Sequence, residues 1–353
     1  MSVPPSLTRR VFSSFLHPSA RKAGLCLLFD TQIAGEMMEN AQNDKNETNE
    51  VDSEESERGE EIEVDEEALP SRAAAVHEQI RQEGEKELER DAMALLFSAI
   101  AAGLSMGASL MAKGIFQANL EGVPGAFLLE NLGYTFGFVI VIMARQQLFT
   151  ENTVTAVLPV MHKLNGGNLL LLLRLWGLVL AGNLLGTGLA ALAFNHLPVF
   201  DDAVREAFVS ISMKIMHNSP WEMFANAMIS GWIIATMVWM FPSAGAAKIW
   251  VIIMMTWLVA LGDLTHIVVG SVEILYLVFN GDISWQQFIW PFALPTLAGN
   301  IIGGTFIFAL ISHAQIRNDM SNKAKAKAQA EAKKKKKQQE QGQKQEQEQE
   351  QEG

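Results

Sequence analysis

Two short polar stretches interrupt otherwise apolar sequence, and they hold the residues best placed to do chemistry. One reads Leu261-Gly262-Asp263-Leu264-Thr265-His266, the other Arg145-Gln146-Gln147-Leu148-Phe149-Thr150-Glu151-Asn152. Non-helical backbone at membrane depth is tolerated only inside protein or beside a water-filled path, and an ionisable residue there is by default functional. His266 lies inside an apolar segment, whereas the other histidines fall at loops or ends. An imidazole exchanges protons near neutral pH. At the centre of an anion path it would attract the anion, or protonate a weak acid so that it crosses uncharged. A core histidine bonded to a neighbouring carbonyl fits the same position, and position alone leaves both readings open.

Four further charges lie in apolar sequence. Arg145 either draws anions to a pore mouth or, the commoner fate, pairs with Glu151 or Glu130. Arg174 is expected to snorkel at an interface. Asp263, beside Gly262, is expected to cap the half-helix that follows. Glu273, two turns beyond His266, either partners a cation or faces a neighbouring protomer. Phosphate-cradling glycine loops, zinc spacings and nucleophile elbows are absent, and His77-Glu78 lacks the second histidine of a zinc helix. An enzyme is therefore not expected, nor a metal or cofactor. The single Cys26 gives no disulfide framework.

The elements that must position these residues follow from where the charge sits. Only 18 charged residues occur in the 225 from Asp91 to Gln315, while the flanks are dense in Glu, Lys, Gln and Asp. The mean hydropathy of +0.14 averages these unlike parts. A very apolar middle with polar ends is the pattern of an integral membrane protein. Six apolar segments are read: about 93–111, 126–161, 169–194, 221–240, 246–279 and 285–312. The second and fifth are too long for one span of about 20 residues, and each contains one of the polar interruptions.

Short-long-short thus occurs twice, with a repeat to match. Ala181-Gly182-Asn183-Leu184-Leu185-Gly186 recurs 117 positions later as Ala298-Gly299-Asn300-Ile301-Ile302-Gly303, and the same offset sets Phe149 opposite His266. The two Gly-Asn motifs are read as helix packing. Three spans per half require opposite topologies. The expected fold is all-α and integral to the membrane: six transmembrane helices as two inverted three-helix repeats with broken second and fifth helices, a transporter or channel pattern.

The flanks complete the reading. Residues 1–65 are acidic, with fifteen acids against Lys45 and Arg58 over 36–67, and are expected to be disordered. Residues 1–36 resemble a targeting peptide without its apolar core, and Met37 or Met38 is read as the start. Residues 66–90 form an amphipathic helix, lying on the membrane or simply solvated. The pore domain spans 91–315. The tail, 316–353, is a disordered Lys/Gln/Glu-rich segment; its lysines, with His162 and Lys163, place both termini in the cytoplasm by the positive-inside rule. A basic cluster confined to that tail makes a nucleic-acid partner unexpected; membrane lipid is an expected partner. All eight Trp lie between 176 and 290, several near span ends.

Taken together these residues resemble the formate/nitrite transporter family, over roughly 91–315, and most nearly its inner-membrane branch. The resemblance rests on Leu148-Phe149-Thr150, on His266 in the fifth span, on Gly299–Gly304, on the spacing of Trp232 and Trp239, and on Lys214 before the fourth span. It implies an aquaporin-like fold, a homopentamer with one pore per protomer, and a small anion or weak acid as solute in a bacterial inner membrane. By position it implies that Thr150 and Leu148 form the cytoplasmic constriction and that Tyr134 and Val259 form the periplasmic one. The chain departs from the family where Thr265 replaces a glutamate, Gly231 and Gly270 replace asparagines, Gln147 replaces an acid, and Arg145 and Gln146 replace small residues. The scaffold and the central pair therefore remain, while the polar network around His266 is rewritten, and neither formate nor nitrite is fixed as the solute. The alternative function is a non-conducting or neutral-solute pore-like scaffold that docks a partner through its charged termini.

Overall fold

The computed structural model describes residues 72–318, with scattered helical positions out to 333. The readings of residues 1–65 and of most of the tail lie outside the described residues. Every element is helical, and no strand occurs among the described residues. The chain runs through α1 (Arg72–Glu89), α2 (Ala92–Asn119), α3 (Ala126–Gly133), α4 (Thr135–Met143), α5 (Val157–His162), α6 (Gly166–His196), α7 (Asp202–Met216), α8 (Pro220–Ala244), α9 (Lys248–Leu261), α10 (Ile267–Asn280), α11 (Trp285–Gln287) and α12 (Leu294–Ile301). Wide turns at Phe288–Ala293 and Ile302–Leu310 flank α12.

Local sequence explains most boundaries. Asp91 caps α2 by accepting from the Met93 and Ala94 amides. Ser219 and Glu222 form a reciprocal capping box, with Pro220 in the first turn of α8. Gly245, at a left-handed φ of 48°, bends the 42-residue apolar run Pro220–Leu261 into α8 and α9. Five apolar helices are long enough to cross a membrane, and Ile267–Asn280 is a shorter sixth. The expected order of six spans with broken second and fifth members fits this arrangement.

One helix was not expected. Residues 202–216, read as part of a connecting loop, form α7. Its buried residues Val204, Ala207, Phe208, Ile211 and Ser212 follow helical spacing against α2 and α10. A short amphipathic helix carrying Asp202, Arg205, Glu206 and Lys214 leaves no trace in an average of hydropathy.

The helices pair as the repeat demands: α2 lies along α6, and α8 along α12. The approach is close enough that a Cβ on Gly186 would strike the Ile100 carbonyl, and one on Gly303 the Met228 carbonyl. Between these pairs runs α10, buried at every position from Ile267 to Leu277. Outward faces stay apolar and uncovered, as at Leu170, Trp221 and Met254, and less than half of each candidate span is buried within the protein. Lipid or a neighbouring protomer must cover them.

Candidate pore centre

Each interruption is a helix end, a left-handed residue and an extended step, built alike. In the first, the Ala144 amide donates to Ile140, Arg145 to Ile142 and Gln146 to Val141; in the second, Gly262 donates to Leu258, Asp263 to Ala260 and Leu264 to Val259. Arg145 and Asp263 hold φ of 53° and 47°, the only non-glycine residues with positive φ among those described. The offset throughout is 118. The equivalence of Phe149 with His266 is therefore corrected by one residue: Leu148 is the counterpart of His266, because the break and the Gly-Asn motif are offset differently.

The Gly-Asn motifs also do more than pack. Asn183 Oδ1 accepts from the Phe149 amide at 2.9 Å, and its Nδ2 donates to the Ala99 and Gln147 carbonyls. Asn300 Oδ1 accepts from the Ile267 amide at 2.9 Å, and its Nδ2 donates to the Ala227 carbonyl and Ser230 Oγ. Ser230 in turn donates to the Thr265 carbonyl. Breaking a helix frees backbone donors and acceptors that lipid cannot satisfy, and both asparagines, fully buried, satisfy them. These residues were missed as site residues; a polar side chain repeated at membrane depth was the available signal.

The two breaks meet at His266. Its Nε2 lies 2.9 Å from Thr150 Oγ1, and its Nδ1 accepts from the Val268 and Val269 amides, both at 3.3 Å. With Nδ1 occupied as an acceptor, the ring proton sits on Nε2 and is donated to Thr150. His266 thus caps α10, the role expected of Asp263. Phe138 meets the imidazole edge to face, with ring centroids 5.2 Å apart, and Tyr134 packs on Phe138.

A cavity of about 620 Å³ opens from His266 toward the end of the bundle remote from α1. Tyr134, Thr265, Lys214 and Asp263 line it. The Tyr134 hydroxyl, buried, has no hydrogen-bond partner among the described residues. Lys214 Nζ contacts both Asp263 carboxylate oxygens, at 2.7 and 2.8 Å. Glu273 pairs with Lys113 at 3.8 Å, which decides between its two readings in favour of a cation partner within the chain.

Other expected site residues lie elsewhere. Leu148 and Phe149 are buried and do not line this cavity, with Phe149 against Trp176. Val259 is fully buried and is not among the residues facing the cavity, so Tyr134 has no partner there from that position. Thr265 donates to the Met223 carbonyl. Gly231 lies against the Asn300 backbone, where a Cβ would come within 2.6 Å of its carbonyl oxygen. The edge of the Phe292 ring approaches Gly270 so closely that a Cβ there would lie 2.8 Å away. Where the resemblance led one to look for asparagines, the packing has closed. Arg145 is exposed, and neither Glu151 nor Glu130 pairs with it among the described residues, which corrects the pairing reading. Arg174 donates to the Arg90 carbonyl rather than simply snorkelling.

The amphipathic helix α1 packs on protein, not merely on a membrane surface. Ile80 and Leu88 are buried, Gly84 meets the Thr155 carbonyl, and Glu87 accepts from Gln147 Nε2 at 2.8 Å. It therefore lies across the first break. Farther along, His77 Nε2 sits 3.0 Å from His313 Nδ1. Burial, and then the His313 ring, hold the His77 pKa below the ordinary imidazole value. A neutral ring is thus favoured in the docked helix, while an undocked one takes up its proton more readily. Docking is complete above about pH 6.5 and weakens as pH falls below it. Protection factors over 72–89, taken relative to the intrinsic exchange rate at each pH, are expected to be lower at about pH 5.5 than above neutrality, and His77→Leu to flatten that difference.

Known proteins share this architecture. Residues 74–314 match the family described as formate/nitrite transporter. The chain is 79% identical over 262 residues to Inner membrane protein YfdC of Escherichia coli K12, covering 74% of this chain and 84% of that one. It is 28% identical over 199 residues to Uncharacterized transporter YrhG of Bacillus subtilis 168, covering 54% and 72%. Among solved structures it resembles a pentameric formate channel with formate bound (TM-score 0.56, 22% identity, 64% of this chain and 97% of that one). It also resembles an FNT family ion channel (TM-score 0.57, 17% identity, 67% and 96%).

Proposed function

We propose, from the premise that the chain belongs to the formate/nitrite transporter family, that it passes a small monovalent anion or its conjugate weak acid through the point where Thr150 meets His266. The observation that carries this reading is their 2.9 Å contact, made by two helix breaks, at the floor of a cavity. A solute arriving there meets an Nε2–H that can donate, a hydroxyl that can do either, and Phe138 excluding water around them. In a dry site such groups act strongly on charge. Leu148 and Phe149 would form the constriction on the far side, with α1 beyond them; Tyr134 would narrow the opposite approach.

A homopentamer belongs to this reading. It is supported by the uncovered apolar faces and by the shared fold with a pentameric channel. So does an inner-membrane location with both termini in the cytoplasm, supported by the inner-membrane relative and by Arg317 and the tail lysines. A docking scaffold that does not conduct has less support, since the family and the solved neighbours are transporters and channels.

Reconstitution tests the reading. Proteoliposomes of the full chain are expected to take up at least one tracer among formate, nitrite, acetate, lactate, nitrate, chloride and hydrosulfide faster than empty vesicles. Uptake equal to that of empty vesicles for all of them, on both sides of neutral pH, would reject transport.

A further inference from the structure

The cavity on the remote side of His266 carries its cations already matched. Lys113 on α2 and Lys214 on α7 face three carboxylates: Glu130 on α3, Asp263 in the second break and Glu273 on α10. Lys214 holds Asp263 at 2.7 Å, and Lys113 holds Glu273 at 3.8 Å. Among the described residues Glu130 has no basic partner, so the lining carries more carboxylates than ammonium groups. The Lys113–Glu273 pair is the more telling, because both side chains are largely withdrawn from solvent, at 12% and 3% exposure. The Lys214–Asp263 pair, at 58% and 47%, is screened by water.

An anion entering such a cavity finds no unmatched ammonium. To be held it must take Lys113 away from Glu273, which would leave a carboxylate buried and alone, a costly state in a poor dielectric. An uncharged acid meets no such obstacle. Its O–H can donate to Glu273, and its carbonyl can accept from the Tyr134 hydroxyl, which is buried, lines the cavity and has no partner among the described residues.

We propose that Glu273, by matching Lys113, makes this cavity select the protonated, uncharged form of a small weak acid over its anion. This rests on the transport reading above and narrows it to one form of the solute. Glu273 is a specificity-determining residue, and the Asp263–Lys214 pair serves the same end more weakly.

The test uses the full chain in planar bilayers and proteoliposomes, with formate and acetate as probes. In wild type, tracer uptake is expected to rise as pH falls from about 7.5 to 5.5, in step with the uncharged fraction, with no current above the bare bilayer. Glu273→Gln keeps the shape and frees Lys113, so an anion current about tenfold above wild type is expected, together with a flatter pH profile of uptake. Asp263→Asn, an exposed position whose positive φ suits asparagine, should move both readouts the same way but less. It decides the matter if Glu273→Gln does not assemble. Wild-type uptake with neither variant altering current or pH profile would overturn the proposal while leaving transport intact, as would a wild-type current as large as the variant's. Absence of uptake by wild type would instead sink the transport reading, and this proposal with it.

Discussion

Replacing Asn300 with leucine is expected to leave no assembled protein to purify. The side chain meets three buried groups: the Ile267 amide, freed by the second break, and the Ala227 carbonyl and Ser230 Oγ of α8. Leucine is close in size, so the loss is of hydrogen bonds rather than volume. Leucine leaves the Ile267 amide without its partner, at about 1–3 kcal/mol, and removes two further buried hydrogen bonds at about 0.5–1.5 kcal/mol each, a sum that takes up much of a stability margin of about 5–15 kcal/mol. Asn183→Leu should act alike on the first break, where the Phe149 amide and the Gln147 carbonyl lose the asparagine, as does the Ala99 carbonyl of α2. Detergent extraction followed by size-exclusion chromatography reads the result. A normal yield of monodisperse Asn300→Leu protein would show that the asparagine does not secure the break.

The second large effect belongs to His266, and two substitutions separate its two duties. His266→Asn supplies an oxygen that can still accept from the Val268 and Val269 amides, as asparagine does at many helix starts, but its shorter side chain places no donor at Thr150. Assembly should survive and solute flux should fall at least about tenfold, because a preorganised donor in a dry site is worth at least that much. His266→Phe removes both duties and should lower thermal stability as well. Flux into proteoliposomes and unfolding in detergent measure the two losses separately. Wild-type flux in His266→Asn would make the histidine a cap and nothing more.

Much of the architecture was legible because the membrane imposes lengths. Runs too long for one span announced the broken helices, and a lone histidine in such a run pointed to the place where the two breaks meet. What escaped notice did so for physical reasons. The asparagines sit among glycines whose packing role is real, as Gly186 and Gly303 show, and that role concealed the hydrogen bonding. The one-residue slip between Phe149 and Leu148 arose because a repeat counted from a packing motif need not hold through a loop. Lys113 lies near the end of the first span, where a lysine ordinarily reaches water, so only the fold reveals that it meets Glu273. The partner of Asp263 was equally hidden, since Lys214 comes from α7, a helix with no hydropathic signature.

The shared backbone pattern of the two breaks also bears on descent. Alike in hydrogen bonding, they differ in what they offer: the first gives Thr150, the second His266, and their counterparts by register are Val268 and Leu148. Suppose a pore were assembled from two copies of one half. The first half would set Thr150 against Leu148, and the second would set His266 against Val268; neither pair makes the hydrogen bond that Thr150 and His266 share. If the halves arose by duplication, the present chemistry was not inherited with the copy but emerged when the daughters diverged, each taking one side of a bond that neither can make with itself. Fusion in a single chain then ties the fate of both, for a recombinant that exchanged one half for the other would keep its scaffold and lose its chemistry.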